Sequence, residues 1–140
     1  MGDAGKRHVS SLALLEEEMT NEHLRLGELG EALAEQFLRQ KGLRVIERRV
    51  RVRRGELDLV AKNGDEWIFI EVKTRSRNEM GGAIAAFSRS KESRMKRAVE
   101  DYVHVHGLYE APIRCDVVAV DFAADGAPEI THYPGCVMWR

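Results

Sequence analysis

The stretch GELDLVAKNGDEWIFIEVKTR, residues 55–75, constrains this chain more than any other. Residues 57–62 and 66–73 are short and rich in β-branched or aromatic side chains, and the Asn63-Gly64 pair between them is a strong hairpin signal. With Asn63 and Gly64 as the two loop residues, Lys62 faces Asp65, Asp58 faces Phe69 and Glu56 faces Glu71. Asp58 and Glu71 are then diagonal neighbours, roughly 7–8 Å apart between backbones. Strand side chains repeat every two residues, so Glu56, Asp58, Glu71 and Lys73 share one face. Leu57, Leu59, Ile68, Ile70 and Val72 form a core on the other. A turn one residue longer would slip the register and undo this arrangement.

Two carboxylates on one face can hold a divalent cation through hard oxygen donors, and a nearby ammonium can position or activate a water. The order Asp58…Glu71-Val72-Lys73 is therefore the minimal donor set for metal-dependent phosphodiester hydrolysis. The bland alternative is a set of solvated charges on the outer face of a hairpin, and spacing alone leaves both readings open.

The chain has 140 residues, enough for one domain with a real core, and its 44% hydrophobic and 32% charged content is ordinary for a globular protein. No apolar run reaches the length of a membrane span. The apolar part of the N-terminus, LALL, is too short for a signal-peptide core and runs straight into three glutamates. A cytoplasmic protein that does not engage membranes is expected. Cys115 and Cys136 lack the spacing of a zinc site or disulfide framework and read as two small semi-buried hydrophobes.

Net charge is only −1, but it is unevenly spread: residues 1–38 carry −5, residues 39–97 carry +9 and residues 98–140 carry −5. The basic block surrounds the candidate site, as attraction of phosphate would require. A solvated charged surface would give the same distribution.

Residues 1–20 are expected to form a flexible N-terminal tail, with room for a short helix from Ser11, ahead of a single domain over residues 21–140. An amphipathic helix is predicted from Asn21, a plausible N-cap, to Lys41, stopped by Gly42. Its stripe comprises Leu26, Leu29, Gly30, Leu33, Ala34, Phe37 and Leu38. Residues 43–54 read as a strand with a break or bulge near Glu47–Arg49, and the hairpin follows. A loop with Gly81-Gly82 leads to a helix over Ser90–His106, with Met95, Ala98, Val99, Tyr102 and Val103 inward and Gly107 ending it. Residues 113–122 form a strand buried on both faces, and an edge strand near Glu129–Tyr133 is an option. The order is α-β-β-β-α-β with room for a final β, an α/β fold around a central mixed sheet flanked by helices.

Three motifs carry a family resemblance: Gly27-Glu28 with Gly30-Glu31 at the helix, Gly55-Glu56-x-Asp58-Leu59-Val60-Ala61, and Phe69-x-Glu71-Val72-Lys73-Thr74-Arg75. Over roughly residues 24–121 the chain resembles the YraN-like family of small bacterial proteins, with the restriction-endonuclease-like, PD-(D/E)xK fold. It is similar in signature to archaeal Holliday-junction resolvases. The resemblance implies that Asp58 and Glu71 ligate Mg²⁺ or Mn²⁺ with the Val72 carbonyl as a third ligand. It implies that Lys73 orients or deprotonates the attacking water, and that Glu31 binds the metal through water or holds a second ion. The implied activity is hydrolysis of DNA phosphodiesters, in branched or single-stranded DNA, by an endonuclease-like enzyme. The competing class is a catalytically silent module that binds nucleic acid or a protein partner, because fold does not dictate function. Resolvase-like enzymes often act as dimers on symmetric junctions, which leaves a homodimer open, although no segment carries an interface signature. Arg49 stands where many members have asparagine, and Cys115 where phenylalanine is usual. Asp116 matches a family position and reads as structural.

Lys91 sits four residues before Met95 and so continues the inward stripe of the second helix toward the sheet, where it could meet a phosphate or simply snorkel. Arg51, Arg53, Arg75 and Arg94 are further phosphate-contact candidates, with Arg51 and Arg53 on one strand face. His104 and His106 diverge on their helix and make poor joint ligands, and Trp67 is read as packing.

Overall fold

The computed structural model describes residues 11–76, 82–84 and 87–137. Helix α1 (Ser11–Gln40) leads into strands β1 (Arg44–Val52), β2 (Gly55–Asn63) and β3 (Glu66–Ser76). Helix α2 (Arg89–His106) then crosses over to β4 (Ile113–Phe122), and β5 (Pro128–Val137) closes the sheet. The strands lie in the order β1-β2-β3-β4-β5, with β3 and β4 parallel and every other pair antiparallel. This is the expected mixed sheet flanked by helices.

The first helix starts at Ser11, well before Asn21, which lies inside it. Residues 1–10 of the expected tail, and Gly81 of the expected loop, lie outside the described residues. Gly30, Ala34 and Leu38 are buried as the stripe predicts, but Leu29 is largely exposed, one position off that stripe. Leu12, Leu14, Leu15 and Leu24 are exposed as well, so the N-terminal half of α1 packs little against the sheet. In α2 every predicted inward residue is buried, Ser88 accepts a hydrogen bond from the Lys91 N–H, and Gly107 ends the helix in the left-handed region. β5 is twice the length expected, because β4 supplies a full partner along it.

Both faces of the sheet are covered. Beneath α1 lie Leu59, Ala61, Ile68, Ile70, Val72, Val118 and Val120. Beneath α2 lie Leu57, Val60, Phe69, Val117 and Cys115, with Trp67 packed beside them. Leu57 and Leu59 are therefore not on one face, as strict alternation requires; the pleat breaks at Asp58 between them. Across the ladder, between the Arg48↔Leu59 and Val50↔Leu57 rungs, Arg49 takes φ 48°. Together with the register shift between Val45 and Glu47, this is the bend expected near Glu47–Arg49, made here by an arginine.

The hairpin loop is Gly64-Asp65, not Asn63-Gly64: Asn63 pairs with Glu66 and Leu59 with Ile70. Gly64, at φ 60°, is the residue that needs the left-handed region, and the structure places it first in the turn, the glycine position of a II′ turn. The shift moves each cross-strand partner by two residues, so parity is kept, but Asp58 now faces Glu71 instead of Phe69.

α1 approaches β3 most closely at Gly30. A Cβ there would meet Thr74 Oγ1 at 2.0 Å, whereas nothing lies within 4 Å of one built on Gly27. Gly30→Ala should lower stability by about 1–3 kcal/mol in urea unfolding, with part of the loss recovered by adding Thr74→Ala. Gly27→Ala, in open space on the same helix, should cost nothing and gain helix propensity; equal effects of the two alanines would contradict this packing.

Candidate active site

The β2–β3 ladder runs from Asn63↔Glu66 to Leu59↔Ile70. Beyond that rung β2 stays paired with β1 as far as Gly55, and β3 stays paired with β4 as far as Ser76. The two middle strands therefore part company, and Asp58 and Glu71 stand on the first rung of the resulting fork. The Val72 N–H, left without a ladder partner on β2, donates to Asp58 Oδ2 at 2.8 Å. That bond fixes the carboxylate in the mouth of the fork and satisfies a backbone donor that would otherwise be orphaned.

Asp58 is partly buried. Loss of hydration, then the negative charge of Glu71 and, more weakly, of Glu31, push its pKa up to about 8, against the opposing pull of the Val72 amide. Glu71 is bridged by Lys73, whose Nζ lies 2.9 Å from Glu71 Oε1. Lys91 reaches the same pocket of charge: burial lowers its pKa, helped by Lys73, Arg75 and Arg94, while Glu71 opposes. Lys91 itself is half-buried, one turn ahead of the buried Met95. Arg75 donates to the Thr74 carbonyl at 3.0 Å beside this group.

Glu31 borders the fork from α1, and its carboxylate accepts from Arg49 Nε at 2.9 Å. Glu28, Glu31, Glu35, Arg48 and Arg49 line a hollow of about 370 Å³, in which Glu35 takes Arg48 as its partner. Arg51 and Arg53 do not join the acids. They are exposed and line a separate hollow of about 570 Å³ between β1 and α2, with Tyr102, His106 and Tyr109. Arg51 does pair across to Glu56, so it lies two strands from Lys73.

Among the described residues no group of three acid, histidine or cysteine side chains is arranged to hold a metal. The donors at the fork are two carboxylates and the backbone oxygen of Val72, a hard set that suits Mg²⁺ or Mn²⁺ in kind. Cys115 is buried and Cys136 exposed, both as free thiols, so only the first behaves as the small hydrophobe expected. His104 contacts Tyr109 and His106 stacks on Tyr102 with ring centroids 3.9 Å apart, each with its own partner. Trp67 packs near Tyr102 with Lys62 over its ring.

Two contacts were beyond sequence reasoning. Arg49 was visible only as a departure from a family pattern, and its tie to Glu31 depends on a left-handed backbone that no arginine advertises. Asp116 is fully buried, gripped by Arg114 through two bonds of 2.9 Å, by His132 Nε2 at 2.7 Å and by the Gly135 N–H at 2.8 Å. That network joins β4 to β5 and makes Asp116 structural, as read, but nothing pointed to His132.

The fork lies inside the stretch of chain that comparison with known proteins recognises. A profile described as "Uncharacterised protein family UPF0102" matches residues 30–120. The chain belongs to this family. A UPF0102 protein of Shewanella sediminis is 50% identical over 95 residues, covering 68% of this chain and 80% of the relative. One from Anaeromyxobacter dehalogenans is 42% identical over 109 residues, covering 78% and 81%. The UPF0102 match takes in Asp58, Glu71, Val72, Lys73, Glu31 and Lys91 together. Among the described residues of this member, no helix is long and apolar enough to cross a membrane.

The raised pKa of Asp58 sets a pH signature for this UPF0102 protein in metal-free buffer. A carboxyl whose folded pKa exceeds its unfolded value contributes stability that is full below about pH 4 and is lost as pH rises through about 8. Asp58→Asn should remove that slope and raise stability at pH 8.5 by roughly 1–3 kcal/mol, read by urea unfolding across pH; an unchanged slope would show that Asp58 ionises normally.

Proposed function

We propose that this protein is a metal-dependent nuclease that hydrolyses phosphodiester bonds in DNA, branched or single-stranded. The observation that carries the reading is the fork: two carboxylates from strands that have separated, with a lysine at 2.9 Å from one of them. Crowding two acids in a partly desolvated place is costly unless a cation shares them. Asp58 and Glu71, with the Val72 carbonyl, would hold Mg²⁺ or Mn²⁺. When bound, such an ion supplies Lewis acidity and stabilises charge developing on phosphate oxygens.

The remaining work falls to the chain's own groups. The Val72 N–H holds the Asp58 carboxylate in place, so the site is preorganised before substrate arrives. Lys73 Nζ, anchored by Glu71, can orient the attacking water and, as an ammonium, stabilise charge that develops on the phosphate oxygens during in-line attack. Lys91 and Arg75 offer positive charge beside the fork for the phosphate that flanks the reacting one. Arg94 lies on the same side and extends that charge outward. Arg51 and Arg53, in their separate hollow, would meet the backbone further along.

The second reading is a nuclease-fold module that binds nucleic acid or a protein partner without cleaving it. What favours it is that the acids are already spoken for: Glu31 by Arg49 and Glu71 by Lys73. A panel of single-stranded, duplex, flap and four-way-junction DNA, incubated with Mn²⁺ or Mg²⁺, separates the two. We expect cleavage of at least one substrate by the native protein, abolished by Asp58→Ala and slowed about 10²–10⁴-fold by Lys73→Ala. DNA binding without cleavage, unaltered in both variants, would establish the second reading.

A further inference from the structure

The pair of Arg49 and Glu31 differs from an ordinary surface ion pair. Arg49 is the only non-glycine residue with positive φ among the described residues, at 48°. Side chains with a Cβ avoid that region, so surrounding structure must hold it there. The bend occurs opposite Asp58, where the pleat of β2 breaks, and the guanidinium meets Glu31 at 2.9 Å while also feeling Glu28 and Glu56. Glu31 follows Gly30, where α1 comes against Thr74 of β3, the residue after Lys73, and its partner Arg49 lies across the β1–β2 ladder from Asp58. Glu31 is thus a third carboxylate at the border of the fork, held by Arg49 as Glu71 is held by Lys73.

We infer that Arg49 keeps Glu31 out of the metal shell, so that the fork offers a bound cation two carboxylates instead of three. Arg49 is a positioning residue in this role: it touches neither the cation nor the substrate, and it acts by pairing with the Glu31 carboxylate. The inference rests on the metal-site reading above and concerns how many acids the site presents.

Mn²⁺ titration of the full chain by calorimetry tests it, with Arg49→Asn, Arg49→Gly, Glu31→Gln and the Arg49→Asn/Glu31→Gln double variant. Asparagine and glycine both accept a φ near 48°, so the bend and the fold should survive, which circular dichroism and thermal unfolding check. Freeing Glu31 adds a ligand charge, and ligand charge count tunes cation affinity. Both single Arg49 variants should bind Mn²⁺ about tenfold more tightly than the native protein, and Glu31→Gln should erase that gain in the double variant. A gain that persists in the double variant would mean that Arg49 acts only as a nearby positive charge, which overturns the inference. Native Mn²⁺ binding that Asp58→Ala abolishes but Arg49→Asn leaves unchanged would overturn it too, with the metal site intact. Failure of every form to bind Mn²⁺ would remove the metal site itself and this inference with it.

Discussion

The separation of β2 from β3 after the Leu59↔Ile70 rung is the constraint on which the site depends. A sheet can split only if the backbone groups exposed at the split find other partners. Here the outer pairings persist, so β2 leans on β1 and β3 on β4, and the Val72 N–H is taken by the Asp58 side chain. One residue thus does two things at once: it closes an open ladder and presents a carboxylate where the strands diverge. The αL bend at Arg49 turns the outer ribbon, and Gly30 lets α1 come down on Thr74 just beyond the fork. The candidate site sits where the pairing of the two middle strands ends, as is usual for sites grafted on regular folds.

The element order, the boundaries of β4, the inward face of α2 and the kinship of Asp58, Glu71 and Lys73 were all legible from periodicity and turn chemistry. These depend on local patterns that a single chain displays. The hairpin register was not legible, because Asn63-Gly64 and Gly64-Asp65 are both acceptable two-residue turns and both leave the same side chains on the same faces. The site survived because the shift preserved parity. Ser11 was read as the start of a short helix separate from the one at Asn21, because the turns between them lack a strong apolar stripe to read, their leucines being exposed. The break at Asp58 was invisible because it is set across the ladder by Arg49, a contact that only the tertiary structure creates.

The uneven charge along the sequence acquires a different meaning in three dimensions. Much of the basic middle segment is neutralised by acids from the segments around it. Arg48 and Arg49 meet Glu35 and Glu31 of α1, while Arg54 meets Glu100 and Asp101 of α2. What looked like an electrostatic block is in part a set of ties between β1 and the two helices. Lys73, Arg75 and Arg94 all act on Lys91, so basic groups gather beside the acids on the α2 side of the fork.

The network around Asp116 bears on the order in which the fold can be completed. Its carboxylate is fully buried in β4, yet two of its partners, His132 and Gly135, belong to β5, as far as nineteen residues downstream. The Asp116 carboxylate thus has its full set of partners only once β5 has docked on β4, so the outermost strand is tied by a buried ionic network to the strand that pairs with β3.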